Sequence, residues 1–142
     1  MVENLGHYRI IEKIGEGGMG EVYRAKYTRL GRDVALKVLS ARVATNASAR
    51  ERFERESRVA ASIDHPNVVP IYEAGEDDGL LYIAMRVVEG HDLKAVIAEH
   101  GALPPEYAVG LIRQVAAALD AAHAKGLVHR DVKPANIFLT CR

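Results

Sequence analysis

The sequence predicts an α+β fold, with strands and one main helix filling the first 88 residues and helices dominating the rest. Two observations carry this. Short β-rich runs with alternating or continuous apolar residues recur up to residue 86, and helical spacing takes over at 48–63 and again after residue 92. Glycine, proline and aspartate sit between these segments, where turns and caps require them. A length of 142 residues suits one core rather than two.

In chain order, residues 8–14 (YRIIEKI) read as a strand that ends at a glycine cluster. Residues 21–26 (EVYRAK) alternate, and G-E-G-G-M-G between the two suits an antiparallel hairpin. Residues 33–39 (DVALKVL) form an apolar run with one lysine inside it. Residues 48–63 carry Phe53, Val59, Ala60 and Ile63 near helical spacing, with Ser48 as the expected N-cap. Asp64-His65-Pro66-Asn67 ends that helix, because the residue before a proline is pushed out of helical geometry. Residues 68–73 and 80–86 are two more expected strands, joined by the turn Gly75-Glu76-Asp77-Asp78-Gly79. Asp92 is placed to cap a short helix through His100, closed by Gly101. Pro104-Pro105 opens a longer helix to about Lys125, closed by Gly126. Its apolar face, widened by Leu111, Val115 and Ala118, is that of a helix buried on most sides. The irregular stretch HRDVKPAN leads to a strand-like run at 137–139.

Composition narrows the function classes. Hydrophobic residues are 49% and charged residues 27%, as in ordinary globular proteins, and 19 basic residues balance 19 acidic ones. No net field draws the chain to nucleic acid or to a membrane surface. The start has no basic end followed by an apolar stretch, so no signal peptide is expected. The apolar region 107–124 is broken by Arg113, Gln114 and Asp120 and does not read as a membrane span. Cys141 is the only cysteine, which excludes a disulfide framework and fits a reduced, cytoplasmic setting. No histidine pair has metal-ligand spacing, and His7, His91 and His100 are expected to be exposed.

Three local patterns carry chemistry. The first is Gly15-Glu16-Gly17-Gly18-Met19-Gly20-Glu21-Val22, a G-x-G-x-x-G-x-V run. Glycines let backbone N–H groups approach phosphates with no Cβ in the way. G-x-G-x-x-G also marks dinucleotide-binding folds, but those need a helix next, and here a strand follows. A hairpin without a ligand is the plain alternative. The second is Val34-Ala35-Leu36-Lys37, where a lysine inside an apolar strand calls for an anionic partner. Phosphate or carboxylate would serve, with Glu51, Glu54 and Glu56 as candidates; an edge-strand lysine facing solvent is the alternative. The third is His129-Arg130-Asp131-Val132-Lys133-Pro134-Ala135-Asn136. An aspartate that accepts a hydroxyl proton, a lysine that offsets phosphate charge and an asparagine that ligates magnesium together suit phosphoryl transfer.

Taken in this order and separation, the three patterns resemble the eukaryotic-like protein kinases, and D-x-K in the last looks like the serine/threonine branch. The wording GEGGMGEVYRA and HRDVKPANI is similar to bacterial members. The resemblance implies a protein-kinase-like domain at 8–142, with a five-stranded antiparallel N-lobe sheet and hinge at 8–88 and a partial helical C-lobe at 89–142. It implies that Ile14, Val22 and Ala35 wall the adenine pocket from above, that Gly15, Glu16, Gly17, Gly18, Met19 and Gly20 cover the phosphates, and that Phe138 forms the pocket floor. Lys37 would bind the α- and β-phosphates and pair with Glu56. Met85 would be the gatekeeper, Arg86-Val87-Val88 the hinge, and Asp92 would meet the ribose. Asp131 would be the catalytic base, Lys133 its phosphate neighbour and Asn136 a magnesium ligand. The implied cofactors are ATP and Mg2+, and the implied partner is a protein with serine or threonine hydroxyls.

The family continues with Asp-Phe-Gly and further helices, which the 142 residues do not contain. On that ground the chain is expected to be a fragment unable to turn over alone. The alternative is a catalytically inactive module that binds nucleotide or regulates a kinase. Uncovered Leu111, Ile112, Val115 and Leu119 would forfeit about 1.5–3 kcal/mol each. Such a sum rivals the roughly 5–15 kcal/mol that holds a domain together. Self-association through this helix, or loss of structure beyond residue 90, is therefore expected.

Overall fold

The computed structural model of the chain describes residues 3–17, 20–128 and 132–140. They fall into two compact units, Met1–Ser62 with Pro70–Val87 and Ile63–Val69 with Val88–Arg142.

The first unit is an antiparallel sheet with two helices. Its strands are β1 (Asn4–Leu5), β2 (Tyr8–Gly17), β3 (Gly20–Tyr27), β4 (Arg32–Leu39), β5 (Ile71–Asp77) and β6 (Leu80–Met85). They lie in the order β1-β2-β3-β4-β6-β5. The five strands read from the sequence are all present, and two-residue β1 joins them at one edge. Alternation sorts the side chains by face. Ala25, Val34, Leu36, Tyr82 and Ala84 gather on one face with Leu5 and Tyr8 as the main core. Leu39 and Leu81 pack with Ala44 in a second cluster, joined by Val43 and Phe53 of the helices α1 (Ala41–Thr45) and α2 (Ala47–Ala61).

β1 and β5 are opposite ends of the sheet, yet side chains join them. The Gly6 N–H donates to Asp77 Oδ2 at 2.6 Å. The Tyr8 hydroxyl donates to Glu73 Oε2 at 3.1 Å, and the Tyr82 hydroxyl to Glu73 Oε1 at 3.3 Å. The sheet is therefore curled until its edges meet. Tyr8 packs on Tyr27 and Tyr82 with ring centroids 5.3 and 5.7 Å apart. Burial, with the Glu73 carboxylate second, pushes both the Tyr8 and Tyr82 hydroxyls above their ordinary titration range.

Several local expectations are corrected. The N-cap of α2 is Asn46, whose side chain accepts from the Ala49 N–H at 3.0 Å; Ser48 lies inside the helix. Ala41–Thr45 forms a separate helical turn, which leaves Asn46 extended and free to cap. The strand expected at 68–73 runs instead from Ile71 to Asp77, and the turn shrinks to Asp78 and Gly79, both at positive φ. Gly75 serves the strand rather than the turn: a Cβ there would stand 2.6 Å from the Tyr82 hydroxyl oxygen.

The second unit holds β7 (Gly90–Asp92), α3 (Leu93–His100), α4 (Pro105–Ala124), a 3₁₀ turn at Pro134–Asn136 and β8 (Phe138–Thr140). β7 and β8 pair antiparallel. Asp92 caps α3 by accepting from the Ala95 N–H at 2.8 Å, and Gly101 closes it at positive φ, as the sequence indicates. α4 also spans the expected range, with Gly126 at positive φ beyond it. The wide apolar face of α4 is uncovered among the described residues: no residue of it is buried, and Tyr107, Val109 and Ile112 are exposed. The described elements offer this helix no apolar layer to pack against.

Two outcomes follow from this packing. Asn46→Ala should cost roughly 0.5–2 kcal/mol in urea unfolding, while Ser48→Ala should be close to neutral. A hydroxyl whose folded pKa is raised contributes stability that is full below its unfolded value and is lost as pH rises through the folded one. Melting temperature should therefore fall as pH passes the ordinary tyrosine value of 10.0. Tyr8→Phe should flatten that fall, and an unchanged slope would contradict the Tyr8–Glu73 pairing.

Candidate active site

Register decides which residues of the first unit share a face, because directly opposed residues project to the same side. Gly15 lies opposite Val22, Val22 opposite Lys37, and Lys37 opposite Ile83. Ala35 lies opposite Met85. Gly15, Val22, Ala35, Lys37, Ile83 and Met85 thus share the face away from the Leu36 and Ala84 core. Leu39 and Leu81 continue the same face under α2.

Lys37 is half-buried and belongs to none of the ion pairs among the described residues. A charged ammonium in that setting suits an anionic ligand. Glu56 is half-buried on α2, three residues beyond Phe53 and next to buried Ser57. Glu51 is exposed, and Glu54 lines a groove of about 380 Å³ between α2 and β5. Of the three carboxylates, only Glu56 is half-buried.

The glycine hairpin closes with Gly17 opposite Gly20. Gly20 has φ +153, and a Cβ there would run into the Val38 carbonyl oxygen and stand 3.0 Å from the Leu39 Cα. Only glycine lets β3 lie so close to β4. Opposite Val22, on the other face, Glu16 and Glu21 oppose each other directly. The Lys13 ammonium lies 2.6 Å from Glu16 and 3.4 Å from Glu21, and the Tyr23 hydroxyl donates to Glu21. That Tyr23 hydrogen bond, with Lys13 secondary, holds the Glu21 carboxyl below its usual range. Ile14 stands at the irregularity between Lys13 and Gly15 and is exposed. Met85 ends β6 half-buried, and exposed Arg86 donates its N–H to the Pro70 carbonyl at 3.0 Å.

The second unit groups the remaining expected residues. Asp92 lies opposite Phe138 in the β7–β8 pair, and the Leu93 N–H donates to the Ile137 carbonyl at 2.7 Å. This anchors the 3₁₀ turn that carries Asn136, whose N–H donates to the Lys133 carbonyl at 2.9 Å. Lys133, Asn136 and Phe138 are exposed, Val88 is half-buried, and Asp92 performs its capping role. Gly18, Met19, His129, Arg130 and Asp131 lie outside the described residues. The sequence reading missed Ile83, Lys13 and Tyr23. Alternation along residues 80–85 signals Ile83, and two glutamates flanking a glycine turn signal the need for a nearby cation.

Comparison with known proteins decides the family. The protein kinase domain family matches residues 8–142. This chain belongs to the protein kinase family. It is 47% identical over 135 residues to the serine/threonine-protein kinase PknD of Mycobacterium tuberculosis, covering 95% of this chain and 20% of that protein. It is 48% identical over 135 residues to the serine/threonine-protein kinase PknH of Mycobacterium bovis, covering 95% of this chain and 23% of that protein. Among solved structures, the M. tuberculosis PknI kinase domain superposes with a TM-score of 0.88 at 39% identity, covering 99% of this chain and 58% of that one. The chain thus spans about a fifth of the length of the curated relatives it matches. The kinase-like fold and the serine/threonine branch read from the motifs agree with these relatives.

In this chain, Gly20→Ala should cost more than Gly31→Ala, which sits at φ +63 in open space. The second carries only the left-handed backbone penalty, roughly 1–2 kcal/mol, and the first adds displacement of β3 from β4. Urea midpoints of the two variants would check the order.

Proposed function

We propose that the protein is an ATP-dependent serine/threonine kinase in which this chain grips the nucleotide and supplies the catalytic loop. The observation that supports this most is the row Gly15–Val22–Lys37 on the sheet face away from the core. Gly15, at the start of the glycine hairpin, shares that face with a half-buried ammonium that has no ion-pair partner among the described residues.

In this reading Ile14, Val22, Ala35 and Phe138 are adenine contacts, and Met85 borders the base. Arg86 and Val88 belong to the hinge. The Arg86 N–H is already committed to Pro70, so any hinge donor to adenine lies elsewhere in the segment. Gly15 through Gly20 cover the phosphates and Lys37 holds the α- and β-phosphates, with Glu56 as its partner. Asp92 serves the ribose in addition to its cap. Asn136 would be a ligand to Mg2+, which would supply charge neutralisation at the phosphoryl oxygens. Asp131 accepts the proton of the serine or threonine hydroxyl, and Lys133 offsets the charge of the phosphoryl oxygens. Residues 8–142 are part of a kinase domain, with the nucleotide-gripping part up to residue 88 and the catalytic-loop part after it. The site works in the cytoplasm.

Lys37→Met should weaken MgATP binding by the chain at least tenfold in calorimetry. In the full-length protein, Asp131→Asn should lower phosphate transfer to a serine/threonine substrate by about 10²–10⁴-fold. Full transfer by that variant removes the assigned base. Nucleotide binding by the full-length protein with no transfer at all favours a binding or regulatory module instead.

A further inference from the structure

We infer that Lys13 is a positioning residue that holds the glycine hairpin closed against the repulsion of its own Glu16 and Glu21. This rests on the nucleotide reading above for its functional meaning, though not for its geometry. Glu16 and Glu21 occupy directly opposed positions in the β2–β3 register, one step from the closing pair Gly17–Gly20. Like charges placed opposite one another across an antiparallel pair push the strands apart. Two glycines at the closing pair offer no side-chain packing to resist that push. The Lys13 ammonium sits between the carboxylates, at 2.6 Å from Glu16 and 3.4 Å from Glu21.

Tyr23 completes the arrangement. Its hydroxyl donates to the second Glu21 oxygen and fixes that carboxylate, so Lys13 meets it in one orientation. Lys13 lies opposite Tyr23 in the register, and all four side chains share the hairpin face away from Val22. That face is the one turned from the Gly15–Val22–Lys37 row, so Lys13 acts on the hairpin rather than on the ligand. Lys13 and Glu16 are exposed while Glu21 and Tyr23 are half-buried, and an exposed pair such as Lys13–Glu16 contributes little to global stability. The effect of Lys13 is therefore expected in the hairpin and not in the melting temperature.

The test uses the whole chain. Amide exchange at Gly17, Gly20 and Glu21 should quicken in Lys13→Met, return to normal in Lys13→Arg, and return again in Lys13→Met combined with Glu16→Gln. Binding of fluorescent ATP, ADP and adenosine is measured on the same variants. Lys13→Met should weaken ATP binding by roughly three- to tenfold, ADP less and adenosine hardly at all, since a loosened hairpin loses its hold on the phosphates and not on the base. Unchanged exchange in Lys13→Met, or no rescue by the added Glu16→Gln, overturns the inference. So does an equal loss for all three ligands. If the unaltered chain binds no nucleotide, the kinase reading fails, and the exchange data still decide whether Lys13 holds the hairpin.

Discussion

The position of one ammonium depends on a single alignment of strands. β4 alternates Val34 and Leu36 toward the core with Ala35 and Lys37 away from it, and β3 and β6 hold that choice by placing Val22 and Ile83 opposite Lys37. A slip of one residue would carry every β4 side chain to the other face. It would drive a charged group into the Leu36 layer, where a charge has no water and no partner. The buried leucine, valine and alanine side chains thus enforce the address of the lysine. Core packing and site construction are one constraint here.

The glycine hairpin follows from the same alignment. Gly20 sits where β3 approaches the Val38–Leu39 backbone too closely for any side chain, so the turn is pinned to β4 on one side. On the other side the strands carry opposed carboxylates with a lysine between them. Backbone approach at Gly20 fixes the closing end of the hairpin, and one step back along the strands the charged side chains meet across it. The second unit relies on different means: a two-strand ladder and the Leu93–Ile137 hydrogen bond tie the Asn136 turn to the start of α3.

Much of this was legible from local pattern. The five main strands, the two long helices, the Asp92 cap and the glycine closures all announce themselves through alternation, helical spacing and residues with special backbone freedom. What local pattern could not reveal depends on partners distant in the chain. Gly75 looks like a turn residue until Tyr82 fills the space beside it. Ser48 looks like a cap until Ala41–Thr45 forms its own turn and hands the role to Asn46. The broad apolar face of α4 signals burial, yet spacing cannot supply the layer that would bury it. Among the site residues, alternation indicates that Ala35, Lys37 and Met85 share a face only once the β4–β6 register is known.

The meeting of β1–β2 with β5 has a mechanical consequence. A backbone ladder shears only when several hydrogen bonds break together, whereas the seam formed by Gly6, Tyr8, Glu73 and Asp77 is stitched by individual side chains. Each stitch can yield alone. A pull between the ends of the curled sheet would therefore unzip along this line first, leaving the strands that carry Lys37 and the glycine turn intact while the barrel-like curl relaxes.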